Sequence, residues 1–210
     1  PEHKKILLYR KIHINNHQNN NNKRKQTCPN HKHKDPNYIG IGDQTLIDSR
    51  RKKNIPISPK GTFNDYVSFY FSNRSPMLYN IWKGFSDVTP RLQEEIIYLV
   101  SNYEKIKLSK KQYVYFDGHG IHHLSKCYNN DEGLENIDWE VIDSKIWYNP
   151  PNDSDRTRRK QAELLVYKEV PLDLLLGIGC YSEDIKNKIV EKLSKNNISF
   201  ACKVKKDWYY

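Results

Sequence analysis

The residue types able to do chemistry in this chain fall into a few short strings. One is RRKQAELLVYK, residues 158–168, where Glu163 heads an apolar run and follows the basic Arg158, Arg159 and Lys160. A lone carboxylate before a strand is ordinarily an exposed edge residue. In a partly dry pocket the same ionised group exerts a weakly screened field on any positive charge beside it. Arg50 and Arg51 sit together in DSRRKKN. Each offers a fork of donors suited to phosphate or carboxylate oxygens and is too basic to serve as a base. YVYFDGHGIHH, residues 113–123, carries His119, His122 and His123, a residue type that donates or accepts near neutral pH. Arg10, His13 and Asn16 lie in YRKIHINN, and Arg74 directly precedes Ser75-Pro76-Met77-Leu78. Cys28, His31 and His33 form a C-x-x-H-x-H run with His17 as the only obvious fourth ligand. Zinc needs four ligands at defined spacing, so the run reads as a polar loop and no metal is expected.

These residues need a scaffold. KILLYRKIHI (5–14), VSFYF (67–71), EIIYLVS (95–101), YVYFDG (113–118), ELLVYKEV (163–170) and ISFACKV (198–204) are rich in β-branched and aromatic residues and read as strands. SEDIKNKIVEKLSKNN reads as a helix capped by Ser182, with Ile185, Ile189, Val190 and Leu193 as its apolar face. A short helix can open near Asp43. The fold class expected is α/β in the α+β sense: a mixed, mainly antiparallel central sheet. Asn15 to Thr27 contains no apolar residue, so residues 15–36 are expected to be irregular or disordered.

The chain's 210 residues, 37% hydrophobic, suffice for one sizeable core and lead us to expect a single domain over 1–210. No apolar run approaches the roughly 18 residues of a membrane span. The opening PEHKKILLYR lacks a secretory core, so no membrane and a cytoplasmic location are expected. Four scattered cysteines are expected to be reduced thiols. The net charge of +10 arises entirely in residues 1–60, which hold 14 basic residues against 4 acidic ones. Such an excess fits a polyanionic partner or a solvated basic arm. There is no G-x-G-x-x-G or Walker loop, so any dinucleotide must bind by another architecture.

Several strings together resemble the DarT family of toxin DNA ADP-ribosyltransferases. DYVSFYFSNRSPMLYNI (65–81) is similar to the family's D-Y-V-P-F-Y-F and S-P-M-L segment, with Ser68 where Pro is usual. NYIGIGDQTLIDSRRKKNIPI, from Asn37, resembles its NAD-binding element, whose functional arginine falls on Arg50 or, one register on, Arg51. RRKQAELLVYK matches the catalytic strand, YVYFDGHGIHH the strand ending in Asp and a nearby His, and YRKIHINN the first strand. The likeness spans about residues 5–16 and 37–210. Where the family continues into an apolar helix and a Gly-Leu pair, this chain has NHQNNNNKRK.

The resemblance implies an ADP-ribosyltransferase fold, NAD as the consumed cofactor and a base of single-stranded DNA, thymine above all, as acceptor. It implies Glu163 and Arg50 as catalytic, and Arg10, His13, Asn16 and Arg50 as NAD contacts. His119, Arg74, Arg158 and Arg159 would meet the DNA. A macrodomain antitoxin would be the partner protein. Two other readings stand beside it: a non-catalytic basic nucleic-acid-binding relative, in which the basic first 60 residues do the work, and an ADP-ribosyltransferase acting on protein, which would share Glu163 and NAD.

Overall fold

The computed structural model describes residues 6–17, 25–85 and 88–210. Strand alternation gives it two unlike faces. Along β1 (Leu7–His13), Leu8 and Ile12 enter one core while Tyr9, Lys11 and His13 point the other way. The same parity holds in β3 (Tyr66–Tyr70), β4 (Ile96–Asn102) and β7 (Glu163–Tyr167). There Val67, Phe69, Ile97, Leu99, Leu164 and Val166 share the core of Leu8 and Ile12.

With β5 (Tyr113–Phe116), β6 (Cys127–Tyr128), β9 (Gly177–Cys180) and β10 (Cys202–Val204) these form an eight-stranded sheet, ordered β10-β9-β4-β1-β3-β7-β5-β6. Only β9 and β10 run parallel; the other pairs are antiparallel. The mixed, mainly antiparallel α+β architecture is therefore the one expected. β1 and β4 stay paired over seven residues, but β1 meets β3 at Tyr9↔Tyr70. The sheet thus opens at its centre.

One face is covered by α3 (Tyr103–Leu108) through Tyr103 and Ile106, by α4 (Trp139–Asp143) and by α6 (Glu183–Ser194). Ser182 caps α6, accepting from the Ile185 amide. Ile185, Ile189 and Leu193 are buried as expected, whereas Val190 is 43% exposed. The other face carries two separate apolar clusters. Leu78 and Ile81 of α2 (Pro76–Lys83) cover β1 and β4 together with Tyr209, and Ile55 and Phe63 cover β5 and β7. Between them run the polar residues of that face, among them Ser68 and Glu163.

Three departures from the expected elements stand out. Residues 163–170 are two strands, because Lys168 adopts a left-handed φ of 63°. Its amide donates to the Asp65 carbonyl, and its own carbonyl accepts from the Cys28 amide. Beyond that break β8 (Glu169–Pro171) leaves the main sheet and pairs with β2 (Lys25–Thr27). That pairing places a strand inside a stretch expected to be irregular, and residues 18–24 of the stretch lie outside the described residues. Third, β9 has no counterpart in the expected strands. Its Gly179 lets the Trp208 ring lie against the backbone, since a Cβ there would stand 2.4 Å from that ring.

Candidate active site

α1 (Gln44–Lys52) begins at Asp43, whose carboxylate caps the Leu46 amide. The helix ends in Arg50, Arg51 and Lys52 and carries these side chains in different directions. Arg51 turns outward to Asp48, 3.3 Å away, with its side chain 60% exposed. Arg50 turns inward: its two terminal nitrogens donate to the two oxygens of Glu163 at 2.8 and 2.7 Å. Of the two arginines, the structure thus brings Arg50 to Glu163 and turns Arg51 away from it.

Glu163 begins β7, paired with Tyr70 on one side and Phe116 on the other, and is 1% exposed. The Gly120 amide donates to Glu163 Oε1 at 3.1 Å. Burial works against the Arg50 charge, and Glu163 beside it outweighs that, raising its pKa. A buried bidentate pair of this kind holds the carboxylate in one orientation. Arg50 also donates to the Ser68 hydroxyl at 3.1 Å and lies 4.4 Å over the Phe63 ring.

Ser68, Phe63, Gly120 and Tyr70 also border the pair, and residue type and spacing mark none of them as a site residue. Ser68 was visible only as a departure from the family pattern. Strand alternation from Tyr66 through Ser68 to Tyr70 places two of them on the face of Glu163. Gly120 works through its backbone, which leaves no mark in residue type. A Cβ on Gly120 would lie 2.7 Å from Glu163 Oε1 and 2.7 Å from the Phe63 ring.

The other expected residues are placed as follows. His119 adjoins the pair through Gly120; burial foremost, with Arg50 and His122, lowers its pKa against the opposing pull of Glu163. Arg10 donates to the Ser68 carbonyl at 3.1 Å, in the opening between β1 and β3. His13 stands 3.4 Å from Glu95 and accepts from the Asn15 amide through Nδ1. Asn16 spends its amide on the backbone of Ile39, donating and accepting at 2.7 Å, and so pins the Asn37 segment to the end of β1. Arg74 lies 5.4 Å over the Tyr210 ring.

Arg158 and Arg159, in α5 (Arg156–Lys160), are engaged by carboxylates. Arg158 bonds Asp155 at 2.7 Å and Asp117 at 3.2 Å, and Arg159 meets Asp138 and Asp153. The Arg158 carbonyl accepts from the His119 amide at 2.9 Å. His122 and His123 stack on each other at 4.6 Å. His31 lies 3.3 Å from Glu169, and among the described residues no three His, Cys, Asp or Glu side chains converge as a metal site. Also among them, no helix is long and apolar enough to cross a membrane.

The mainly antiparallel sheet that carries this pair has the fold of solved DarT ADP-ribosyltransferase structures. Residues 9–210 match the family described as ssDNA thymidine ADP-ribosyltransferase, DarT. The chain belongs to that family. It is 34% identical over 174 residues to a DNA ADP-ribosyl transferase of Escherichia coli O127:H6, covering 83% of this chain and 80% of that one. It is 33% identical to one from Thermus sp. strain 2.9, covering 86% and 85%. The structure of Thermus sp. 2.9 DarT in complex with ADP-ribosylated ssDNA superposes with a TM-score of 0.89 at 30% identity, covering 98% of this chain and 96% of that one. The same enzyme in complex with NAD+ gives 0.86 at 31% identity, covering 100% and 99%.

Proposed function

We propose that this chain transfers ADP-ribose from NAD to thymine in single-stranded DNA, with Glu163 as the catalytic carboxylate. The observation that carries the assignment is the buried, bidentate Arg50–Glu163 pair, braced by the Gly120 amide. In the reaction the bond between the ribose anomeric carbon and nicotinamide breaks, and nicotinamide leaves with its electron pair. Glu163 stabilises the positive character left on the ribose, its field strengthened by burial. The ring nitrogen of thymine forms the new bond to that carbon, and its proton passes to Glu163 as the general base. Arg50 orients the carboxylate and offers its donors to the diphosphate side of NAD.

Arg10 and His13 border the opening of the sheet on the β1 side and serve as NAD contacts. Asn16 serves the same ligand by holding the Asn37 segment in place. His119 is depressed in pKa and so neutral at pH 7, suited to donate to or accept from a pyrimidine edge. Arg74 meets the DNA. Arg158 and Arg159, already satisfied by aspartates, contribute chiefly by positioning the loop that carries His119 and Gly120.

The family resemblance extends the proposal to a toxin acting in the cytoplasm, where NAD and single-stranded DNA meet, neutralised by a macrodomain antitoxin. The Thermosipho africanus DarTG structure, at 15% identity and a TM-score of 0.73, supports the fold alone. The deciding experiment is incubation with NAD and oligonucleotides of mixed sequence, followed by mass spectrometry. An added ADP-ribose on thymine-containing single strands is expected. Absence of an adduct on every oligonucleotide, or an adduct on added protein alone, overturns the proposal.

A further inference from the structure

Lys11 lies on β1 opposite Tyr98 of β4, 5% exposed. Its Nζ is buried without a hydrogen-bond partner among the described residues. A buried amine ordinarily finds carbonyls, as Lys160 does on Val141, Ile142 and Ser144. Lys11 Nζ lies instead between two ring faces, 4.8 Å from the centroid of Tyr70 and 5.1 Å from that of Tyr98. Ring faces attract a cation but leave its N–H groups without acceptors. An apolar side chain of similar length would fill this space at lower cost. Packing alone therefore does not explain a lysine here.

Tyr70 gives the lysine a connection to the site. It is the β3 residue paired with Glu163, and its phenol pKa is raised by burial and by Glu163, with Arg50 opposing. One ring thus stands between the Lys11 amine and the Glu163–Arg50 pair. We infer that Lys11 is a positioning residue of the transfer reaction, whose ammonium clamps the Tyr70 ring beside that pair and releases it on losing its proton. The inference rests on Glu163 being the catalytic carboxylate.

Burial pushes the Lys11 pKa down to about 7, and the charge of Lys160 pushes the same way. The groups facing Lys11 are Tyr98 from β4, Tyr70 from β3 and Lys160 from α5. Arg74, ahead of α2, acts on Tyr98 and Lys160. His13, next on the same face of β1, is occupied by Glu95. The clamp is engaged while Lys11 is cationic, so it weakens as pH rises through neutrality.

The test measures kcat and KM for NAD, with a thymine-containing oligonucleotide, from about pH 6 to about pH 9. It uses the wild type, Lys11→Arg and Lys11→Met. The wild-type rate is expected to fall about tenfold across this range, less than the roughly hundredfold that a 1 Å misplacement can cost. Lys11→Arg keeps its charge and holds the acid-side rate throughout. Lys11→Met runs about tenfold low at every pH, through kcat with the KM for NAD unchanged. A methionine variant with the wild-type rate and pH profile overturns the inference.

Thermal melting supplies the folding control, since losing a buried cation leaves Lys11→Met at least as stable as wild type at pH 6. If that variant does not fold, Tyr70→Leu replaces it: survival of the alkaline fall without the ring overturns the inference equally. A Glu163→Gln enzyme with the wild-type rate sinks the underlying assignment instead, and leaves the Lys11 comparison to be read by itself.

Discussion

At the residue scale, the fork from Arg50 to Glu163 makes the choice of substitution decisive. Glu163→Ala removes the carboxylate but also leaves a buried guanidinium unpaired, a defect worth about 3 kcal/mol or more. Its melting temperature should fall along with its activity. Glu163→Gln keeps the side-chain shape but loses the charge and turns an amide NH2 toward a donor of Arg50 or Gly120, so transfer should drop by about a thousandfold while melting falls by less than in the alanine variant. Paired assays and melting curves on the two variants check this. Gly120→Ala forces a Cβ to 2.7 Å from Glu163 Oε1, and we expect about a hundredfold loss of kcat in the same assay. Glu163 and Arg50 were both legible in sequence by their place in family strings. Ser68 and the Gly120 amide were not, because one is an ordinary strand residue and the other contributes only backbone.

At the scale of elements, the turn that carries Phe63 to the site is held by Asp65. Its carboxylate accepts from the Thr62 amide and hydroxyl, from Asn30 and from Lys168. Burial raises the pKa of this group, and those hydrogen bonds overcome it and hold the pKa at about 2. A depressed carboxylate pKa stabilises the fold above the unfolded value and loses that contribution as pH falls through the folded one. Asp65→Asn should therefore cost about 2 kcal/mol at pH 7, with the gap to wild type closing as the pH of the urea titration drops from about 4 to about 2. The strands at 66–70, 96–102 and 113–116 were visible from composition. The break at Lys168 was not, because its left-handed backbone is maintained by Asp65 and Cys28, more than 100 residues away in the chain. The short β9 escaped because its glycines, required by Trp208 and by Ala201, lower strand propensity.

At the scale of the whole molecule, composition anticipated the class of sheet. The opening between β1 and β3 depends on long-range pairing, which residue type does not record. The lopsided charge was equally plain: residues 61–210 carry 21 basic and 21 acidic residues. What the fold adds is how those later charges are spent. Because Arg158 and Arg159 are tied to Asp117, Asp138, Asp153 and Asp155, their charge is already compensated before any oligonucleotide arrives. The consequence is thermodynamic and can be read from a salt titration. Each phosphate neutralised on a single strand contributes about −0.7 to the slope of log K against log salt concentration, through release of condensed ions. Arg74→Gln should make that slope shallower by about 0.7, whereas Arg158→Gln should leave it nearly unchanged. Equal flattening by the two substitutions would show that Arg158 leaves its aspartates for the phosphates of the nucleic acid. The chain would then exchange one set of counter-charges for another as it binds.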